Sequence, residues 1–325
     1  MSTKKPLTLM CVQPCMLYYA WQVEVMLNNF VLLGLDEHYD IHILGAYNNS
    51  DPNLEQNLGY FRKLQAEFAD AAFFYFYEDT RPQPVRYISS IRPHLLKKHF
   101  EQFPYMINRN VFYHDCDIMF TKFPHFLNNL LDDDKWYVSD TISYIGHDYI
   151  LSKGQDVLDK MCEIVGIDQQ LVKSKQLQSG GAQYLMKGVD AAFFEEMERN
   201  CETLFYEITN LNNEKKRQDP SHHELQIWCA DMWCLLWGAW KRDHDTIIIP
   251  ELEFCWATEN KDKWNKNYIF HNAGVTPDMA NRLFYKYNYR DTLPYSLDGL
   301  SFDINSASHN YFTFLKRVGN NTCLL

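Results

Sequence analysis

Along the first 120 residues, short continuous apolar runs alternate with longer segments whose apolar positions recur at helical spacing. LTLMCV (7–12) is uninterrupted and reads as a short buried strand, with QPCML as a turn after it. YYAWQVEVMLNNFVLLGL then sets Trp21, Val25, Leu27, Phe30, Val31 and Leu32 near the helical period and stops at Gly34. DIHILGAY and AAFFYFY read as two further strands, with the polar, helix-like NLEQNLGYFRKLQAEFAD between them. SSIRPHLLKKHF opens on Ser and carries Pro in its first turn, a helix-entry signal, and the strand VFY follows. This alternation predicts an α/β fold: a Rossmann-like, mostly parallel central sheet flanked by helices, in one large domain.

The second half is less regular. WYVSDTISYI reads as strand and loop, LSKGQDVLDKMCEIVG as helix, and LQSGGAQYLMKG as a glycine-containing turn into a strand. DAAFFEEMERNCETLFYEITNL is a long amphipathic helix, NNEKKRQDPSHH a mobile polar loop, and HELQIWCADMWCLLWGAW a strongly apolar helix. TIIIP is a strand, and the tail from residue 260 reads as loop-rich. No internal repeat or low-complexity tract interrupts the chain.

One feature carries chemistry at once. In NVFYHDCDIMF (110–120) an apolar strand ends in two acids, Asp115 and Asp117, separated by one residue. Parallel sheets bind ligands at the carboxyl ends of their strands, and residues i and i+2 of an extended segment point to one side. The two carboxylates can therefore converge on one cation, and hard oxygen donors suit Mg2+ or Mn2+. The same spelling recurs at Asp132/Asp134 and Asp243/Asp245, but neither copy follows a buried strand. YIF runs into HNAGV (271–275), which makes His271 a third ligand candidate beside a glycine that admits close approach of backbone to a phosphate. Gly180 and Gly181 line either a sugar or an ordinary tight turn. Asp231, within WCADMW (228–233), is an acid among apolar residues, so a partner unseen in the sequence holds it or it is kept for work such as general-base catalysis. The adjacent His222 and His223 point apart on a helix and read as exposed.

Composition narrows the class. With 325 residues, 46% hydrophobic, the chain can bury a sizeable core. Its 21 Tyr, 21 Phe and 8 Trp belong mostly to that core. A net charge of −11 argues against a protein built chiefly to grip nucleic-acid phosphates, and the small basic islands read as solvated faces. The nine cysteines include no C-x-x-C pair and fit buried thiols in a reducing compartment. The apolar run after Lys4 and Lys5 is cut short by Gln13 and Pro14 and is no signal peptide; no stretch of about 18 apolar residues appears. The expectation is a cytoplasmic protein without a membrane partner.

Together these pieces resemble metal-dependent glycosyltransferases of the GT-A fold, and within them the plant-type hydroxyproline O-arabinosyltransferases and peptidyl-serine galactosyltransferases. QPCMLYYAWQVEVMLNNF is similar to their N-terminal signature, YHDCDIMF to their D-x-D strand, WCADMWCLLWGAW to their W-x-x-E-M-Y helix, and HNAGV to their late His and Gly. Two departures stand out: those enzymes carry a membrane anchor, and their helix acid is Glu where this chain has Asp231. An anchorless relative points to a bacterial or viral enzyme with a different acceptor.

The resemblance implies a nucleotide-sugar-binding half over 1–130 and an acceptor-binding, catalytic half over 131–325 of the same compact domain. It implies a nucleoside diphosphate sugar donor, such as a UDP-sugar resembling UDP-arabinose, contacted by Gln13, Pro14, Tyr18 and Trp21. Mn2+ or Mg2+ is expected on Asp115, Asp117 and His271. Arg92 and Lys286 (or Arg282) are candidates for the diphosphate as well as for plain surface charges, Gly180 and Gly181 for the sugar, and Asp231 for the acceptor hydroxyl. The acceptor is a protein, a glycan or a hydroxylated base of phage-type DNA. The rivals are a nucleotidyltransferase, which releases pyrophosphate, and a sugar- or protein-binding module. An aspartyl phosphatase is disfavoured because Met119 stands where it expects Thr or Val.

Overall fold

The computed structural model describes residues 7–296 and 301–320. The chain divides into two compact units: 1–78, 112–132 and 250–325 form the first, and 79–111 with 133–249 the second. In chain order the first unit opens with β1 (Leu7–Pro14), α1 (Leu17–Leu32), β2 (Asp40–Tyr47), α2 (Leu54–Glu67) and β3 (Phe73–Glu78). The second begins with α3 (Ile91–Gln102), and β4 (Asn110–Tyr113) leads back to β5 (Ile118–Phe120) of the first. The second unit then continues with β6 (Trp136–Asp140), α4 (Ile142–Ile145), α5 (His147–Leu151), α6 (Gln155–Val165), α7 (Gln169–Ser174), β7 (Gly180–Met186), α8 (Ala191–Gln218), α9 (Ala230–Lys241) and β8 (Thr246–Ile248). The first unit closes with β9 (Phe254–Trp256), α10 (Lys261–Lys266), β10 (Ile269–His271) and α11 (Ala307–Gly319).

The mostly parallel α/β architecture expected from the alternation is present. In the first unit β1 pairs in parallel with β2, and β2 with β3. Seven of the eight residues of β1 are buried, as a parallel strand covered on both faces requires, and this is why it reads as an unbroken apolar run. A smaller sheet of order β5-β10-β9 stands beside a core built from Trp21 and Val25 of α1, Met119, Phe270, and Tyr311 and Leu315 of α11. In the second unit β6 pairs antiparallel with β7 and parallel with β8. Three of its buried indoles find acceptors: Trp233 Nε1 donates to Ile145 O (2.8 Å), Trp240 Nε1 to Thr246 Oγ1 (2.9 Å) and Trp136 Nε1 to Lys187 O (2.9 Å).

Helix boundaries follow local chemistry, with four departures from the sequence pattern. The stop at Gly34 is present, with Leu35 N–H donating to Phe30 O (2.9 Å) and Gly34 N–H to Val31 O (2.9 Å). The basic stretch expected to be a loop instead continues α8 to Gln218. Its Lys215, Lys216 and Arg217 fall in the last turn, where cations favour the helix dipole, and Asn212 ties α8 to Leu225 through both its amide atoms. The apolar helix begins at Ala230 rather than His223, so His222 and His223 lie on a connecting segment. Gly180 and Gly181 stand inside β7, not in a turn ahead of it. The tail carries α11, capped by Ser306, whose hydroxyl accepts from His309 N–H, and held by buried Tyr311, Phe312, Leu315 and Val318. A cap and an amphipathic face only 13 residues long are easily passed over within a polar, loop-like tail.

Candidate metal centre

Strand pairing, not sequence proximity, assembles the first unit's polar cluster. β4 ends at Tyr113, and the next four residues, His114 to Asp117, lead into β5. β5 runs antiparallel to β10 with Ile118 opposite His271, and Asn272 N–H donates to Asp117 O (3.0 Å). That register brings His271 to two acids 154 and 156 residues earlier in the sequence. Its Nε2 stands 3.6 Å from Asp115 Oδ2 and 3.3 Å from Asp117 Oδ1. One ligand atom from each of the three lies within 4.8 Å of the others.

The next strand fixes the imidazole. Parallel pairing sets Trp256 of β9 beside His271, and their rings stack at 5.6 Å and 15°. Gly274 adopts φ +86, a conformation that suits glycine, and lies in van der Waals range of the same indole, which a Cβ would meet at 3.4 Å. The other ring nitrogen, Nδ1, is buried without a hydrogen-bond partner, so the ring directs its polar interactions at the two acids alone.

Charge is concentrated here. Asp117 is only 7% exposed, and Lys286 Nζ pairs with its Oδ2. Burial by itself would raise the Asp117 pKa, but the ammonium of Lys286 and the imidazole of His271 outweigh it and hold the carboxyl well below the usual range. Lys286 is shifted the other way: burial opposes its charge, and Asp117 more than offsets this, raising its pKa. His114, buried edge-on to Phe30 and tilted against Phe112, is pushed down to about 4 by burial and turns its Nδ1 to Asp115 O, so it is not a fourth member. Two carboxylates and an imidazole within reach of one point form a donor set that fits Mn2+ or Mg2+.

Beside the cluster lies a cavity of about 190 Å3, lined by Tyr18, Asn272, Gly274, Phe284, Lys286 and Tyr287. Tyr18 is thus brought to the neighbourhood of Lys286, edge-on to Tyr287 at 6.4 Å. Gln13 is buried and donates Nε2 to Leu44 O (3.0 Å), and Pro14 closes β1. Trp21 is fully buried in the core and donates Nε1 to Tyr289 O (3.1 Å). Arg282 donates its backbone N–H to Met279 O (2.9 Å). Sequence reasoning passed over Trp256 and Asn272; the short FCW run and the residue after His271 hold the available signal.

The second unit answers the question that Asp231 raised. Its carboxylate is 6% exposed and receives Arg92 Nη1 at Oδ2 (2.8 Å), while the Tyr87 hydroxyl lies 2.5 Å from Oδ1. Tyr87 in turn accepts the Asp231 N–H (3.1 Å), and burial, followed by the Asp231 charge, drives the phenol pKa far up. Arg92 is therefore the partner of Asp231. Gly180 pairs with Asp140 of β6, and a Cβ on it would collide with the Val138 side chain and lie 2.6 Å from Ser139 O. A Cβ on Gly181 would lie 2.5 Å from Tyr184 Oη and 2.8 Å from Met232 Cε. At 180 the absence of a side chain is demanded by packing against backbone; at 181 the neighbours are side-chain ends. Among the described residues no helix is long and apolar enough to cross a membrane.

No protein-family model and no curated protein matches the chain. Among solved structures it is similar to the galactosyltransferase LgtC in complex with donor and acceptor sugar analogs (TM-score 0.42, 12% identity, 96% of this chain and 95% of that one). It is also similar to core-mannan synthase A (CmsA/Ktr4) from Aspergillus fumigatus in its Mn/GDP form (TM-score 0.33, 9% identity, 76% and 73%). A third is the mannosyltransferase Ktr4p from S. cerevisiae in complex with GDP (TM-score 0.29, 10% identity, 75% and 69%). These neighbours are glycosyltransferases; at TM-scores this low the likeness carries no argument for this chain, and function rests on its own residues.

Proposed function

We propose that the protein is a metal-dependent glycosyltransferase that moves a sugar from a nucleoside diphosphate sugar to a hydroxyl acceptor. The observation that carries this reading is the convergence of Asp115, Asp117 and His271, with a lysine in contact with the most buried of the three. Asp115, Asp117 and His271 hold Mn2+ or Mg2+, and the bound ion supplies Lewis-acid neutralisation of charge on the leaving diphosphate. Lys286 offers a second positive group, and Tyr18 presents an aromatic wall in the adjoining cavity. Gln13 and Pro14 are assigned to the nucleotide, and Gly180 and Gly181 to the donor sugar. Asp231, oriented by Arg92 and Tyr87, is assigned to positioning the acceptor hydroxyl. The acceptor is a macromolecule, as in the hydroxyproline O-arabinosyltransferase-like enzymes that the sequence resembles; a UDP-sugar is the favoured donor.

The test is slow hydrolysis of a panel of UDP- and GDP-sugars with and without Mn2+, read as free nucleoside diphosphate. Metal-dependent release that is lost in Asp117→Ala and His271→Ala supports the proposal. Pyrophosphate as product assigns the site to nucleotidyl transfer instead. Failure of every nucleotide to bind leaves a binding module.

A further inference from the structure

The ammonium of Lys286 already has a partner. It sits on Asp117 Oδ2, while Oδ1 of the same carboxylate faces His271 Nε2 at 3.3 Å. Asp115 and Asp117 carry two formal negative charges, and Lys286 returns one positive charge. A divalent ion arriving alone therefore meets a cluster of net charge about −1, half of what the acids alone would present, and competes with an ammonium in contact with Asp117. Asp117 is 7% exposed, so water does little to screen that competition.

Lys286 has somewhere else to go. A quarter of its side chain is exposed, and it forms part of the wall of the 190 Å3 cavity that Gly274, Tyr18 and Tyr287 also line. A diphosphate in that cavity offers the ammonium charged oxygens in place of Asp117, so the ion pair is exchanged rather than lost. The freed carboxylate then presents its full charge to the cation.

We propose that this site takes the metal–nucleoside diphosphate complex as a single ligand and discriminates against the free ion, because Lys286 covers Asp117 until a diphosphate draws it away. The inference rests on the transferase reading and specifies the form in which its donor is recognised. Linkage makes the effect reciprocal: whatever factor the diphosphate adds to ion affinity, the ion adds to diphosphate affinity.

A lysine that only contacts phosphate, and a lysine that only neutralises a buried acid, predict different behaviour. Lone Mn2+ binding is measured on the full chain by electron paramagnetic resonance of the free ion. UDP binding at saturating Mn2+ is measured by equilibrium dialysis, with GDP in a parallel series. Lys286→Met is expected to move the two in opposite directions: Mn2+ alone binds about tenfold more tightly, and UDP with Mn2+ about tenfold more weakly. Lys286→Gln, a second neutral variant, is expected to do the same, and Lys286→Arg to keep the wild-type weakness for the lone ion. Unchanged lone-ion affinity in both neutral variants, with UDP weakened, reduces Lys286 to a phosphate contact and overturns the inference alone. Weakening of both ligands in folded protein makes it a structural counter-ion and also overturns it. A wild-type chain that binds neither Mn2+ nor either nucleotide with Mn2+ overturns the transferase reading itself.

Discussion

Replacing Asn29 by leucine tests whether the metal centre depends on how the outer edge of β5 is satisfied. β5 is an edge strand of its sheet. On the inner side Thr121 N–H donates to Tyr268 O (2.9 Å), and Asp117 O accepts from Asn272 N–H (3.0 Å). Alternation then turns the Phe120 N–H and C=O away from β10, towards α1. Asn29 of α1, itself 4% exposed, answers both: its Oδ1 accepts from Phe120 N–H (2.8 Å) and its Nδ2 donates to Phe120 O (3.0 Å). One side-chain amide thus does the work of a neighbouring strand.

Leucine has the same branched heavy-atom skeleton, with bulkier ends, and can make neither bond. Each buried backbone group left without a partner costs about 1–3 kcal/mol, or roughly 2–6 kcal/mol for the two. No longer having to bury an amide returns about 1–2 kcal/mol, so the expected net loss is about 1–4 kcal/mol. Urea unfolding followed by tryptophan fluorescence measures it, since Trp21 lies in the same unit's core. Asn29→Asp keeps the acceptor but sets a carboxylate against the Phe120 carbonyl, and is expected to cost at least as much. Because β5 also sets the register of Asp117 against His271, Mn2+ affinity in the presence of UDP should fall in the folded variant. A stability change below about 0.5 kcal/mol would refute the edge-satisfaction argument.

Three further outcomes follow from the structure. Asp117→Ala should reduce metal-dependent nucleoside diphosphate release by at least about 100-fold, with a smaller loss for the more exposed Asp115→Ala, both read as initial rates. Gly180→Ala should destabilise by about 1–3 kcal/mol in urea titration, because its Cβ meets Val138 and the Ser139 carbonyl inside the second unit. Asp79 is expected to give acid-dependent stability: burial would raise its pKa, but bonds from Arg81 (2.7 and 2.9 Å) outweigh this and lower it. A lowered folded-state pKa adds stability that is complete above the ordinary carboxylate range and is lost as pH falls below about 4. The gap in urea midpoint between wild type and Asp79→Asn should therefore narrow from pH 6 to pH 3.

Much of the molecule was written locally. The continuous apolar run of β1, the helical period of α1 with its Gly34 stop, and the Pro in the first turn of α3 each reflect a preference acting over a few residues. Asp115 and Asp117 were legible for the same reason: an apolar strand that stops at two acids is visible without knowing what lies opposite. The end of α8 was not, because its polar last turns are held by Asn212 on Leu225 and by Lys215 on Asp156, 13 and 59 residues away in sequence. The pairing of Asp231 with Arg92 joins residues 139 apart, and no periodicity encodes it.

The centre itself divides along this line. Sequence alone determined which residue types are present and that the acids close a buried strand, because burial pattern and chemical identity are local properties. Only the tertiary structure decided that β10 would lie antiparallel to β5 with His271 opposite Ile118, that Trp256 would hold the ring, and that Lys286 would rest on Asp117. Those are registers and contacts between distant segments, and their energies exist only once the chain has folded.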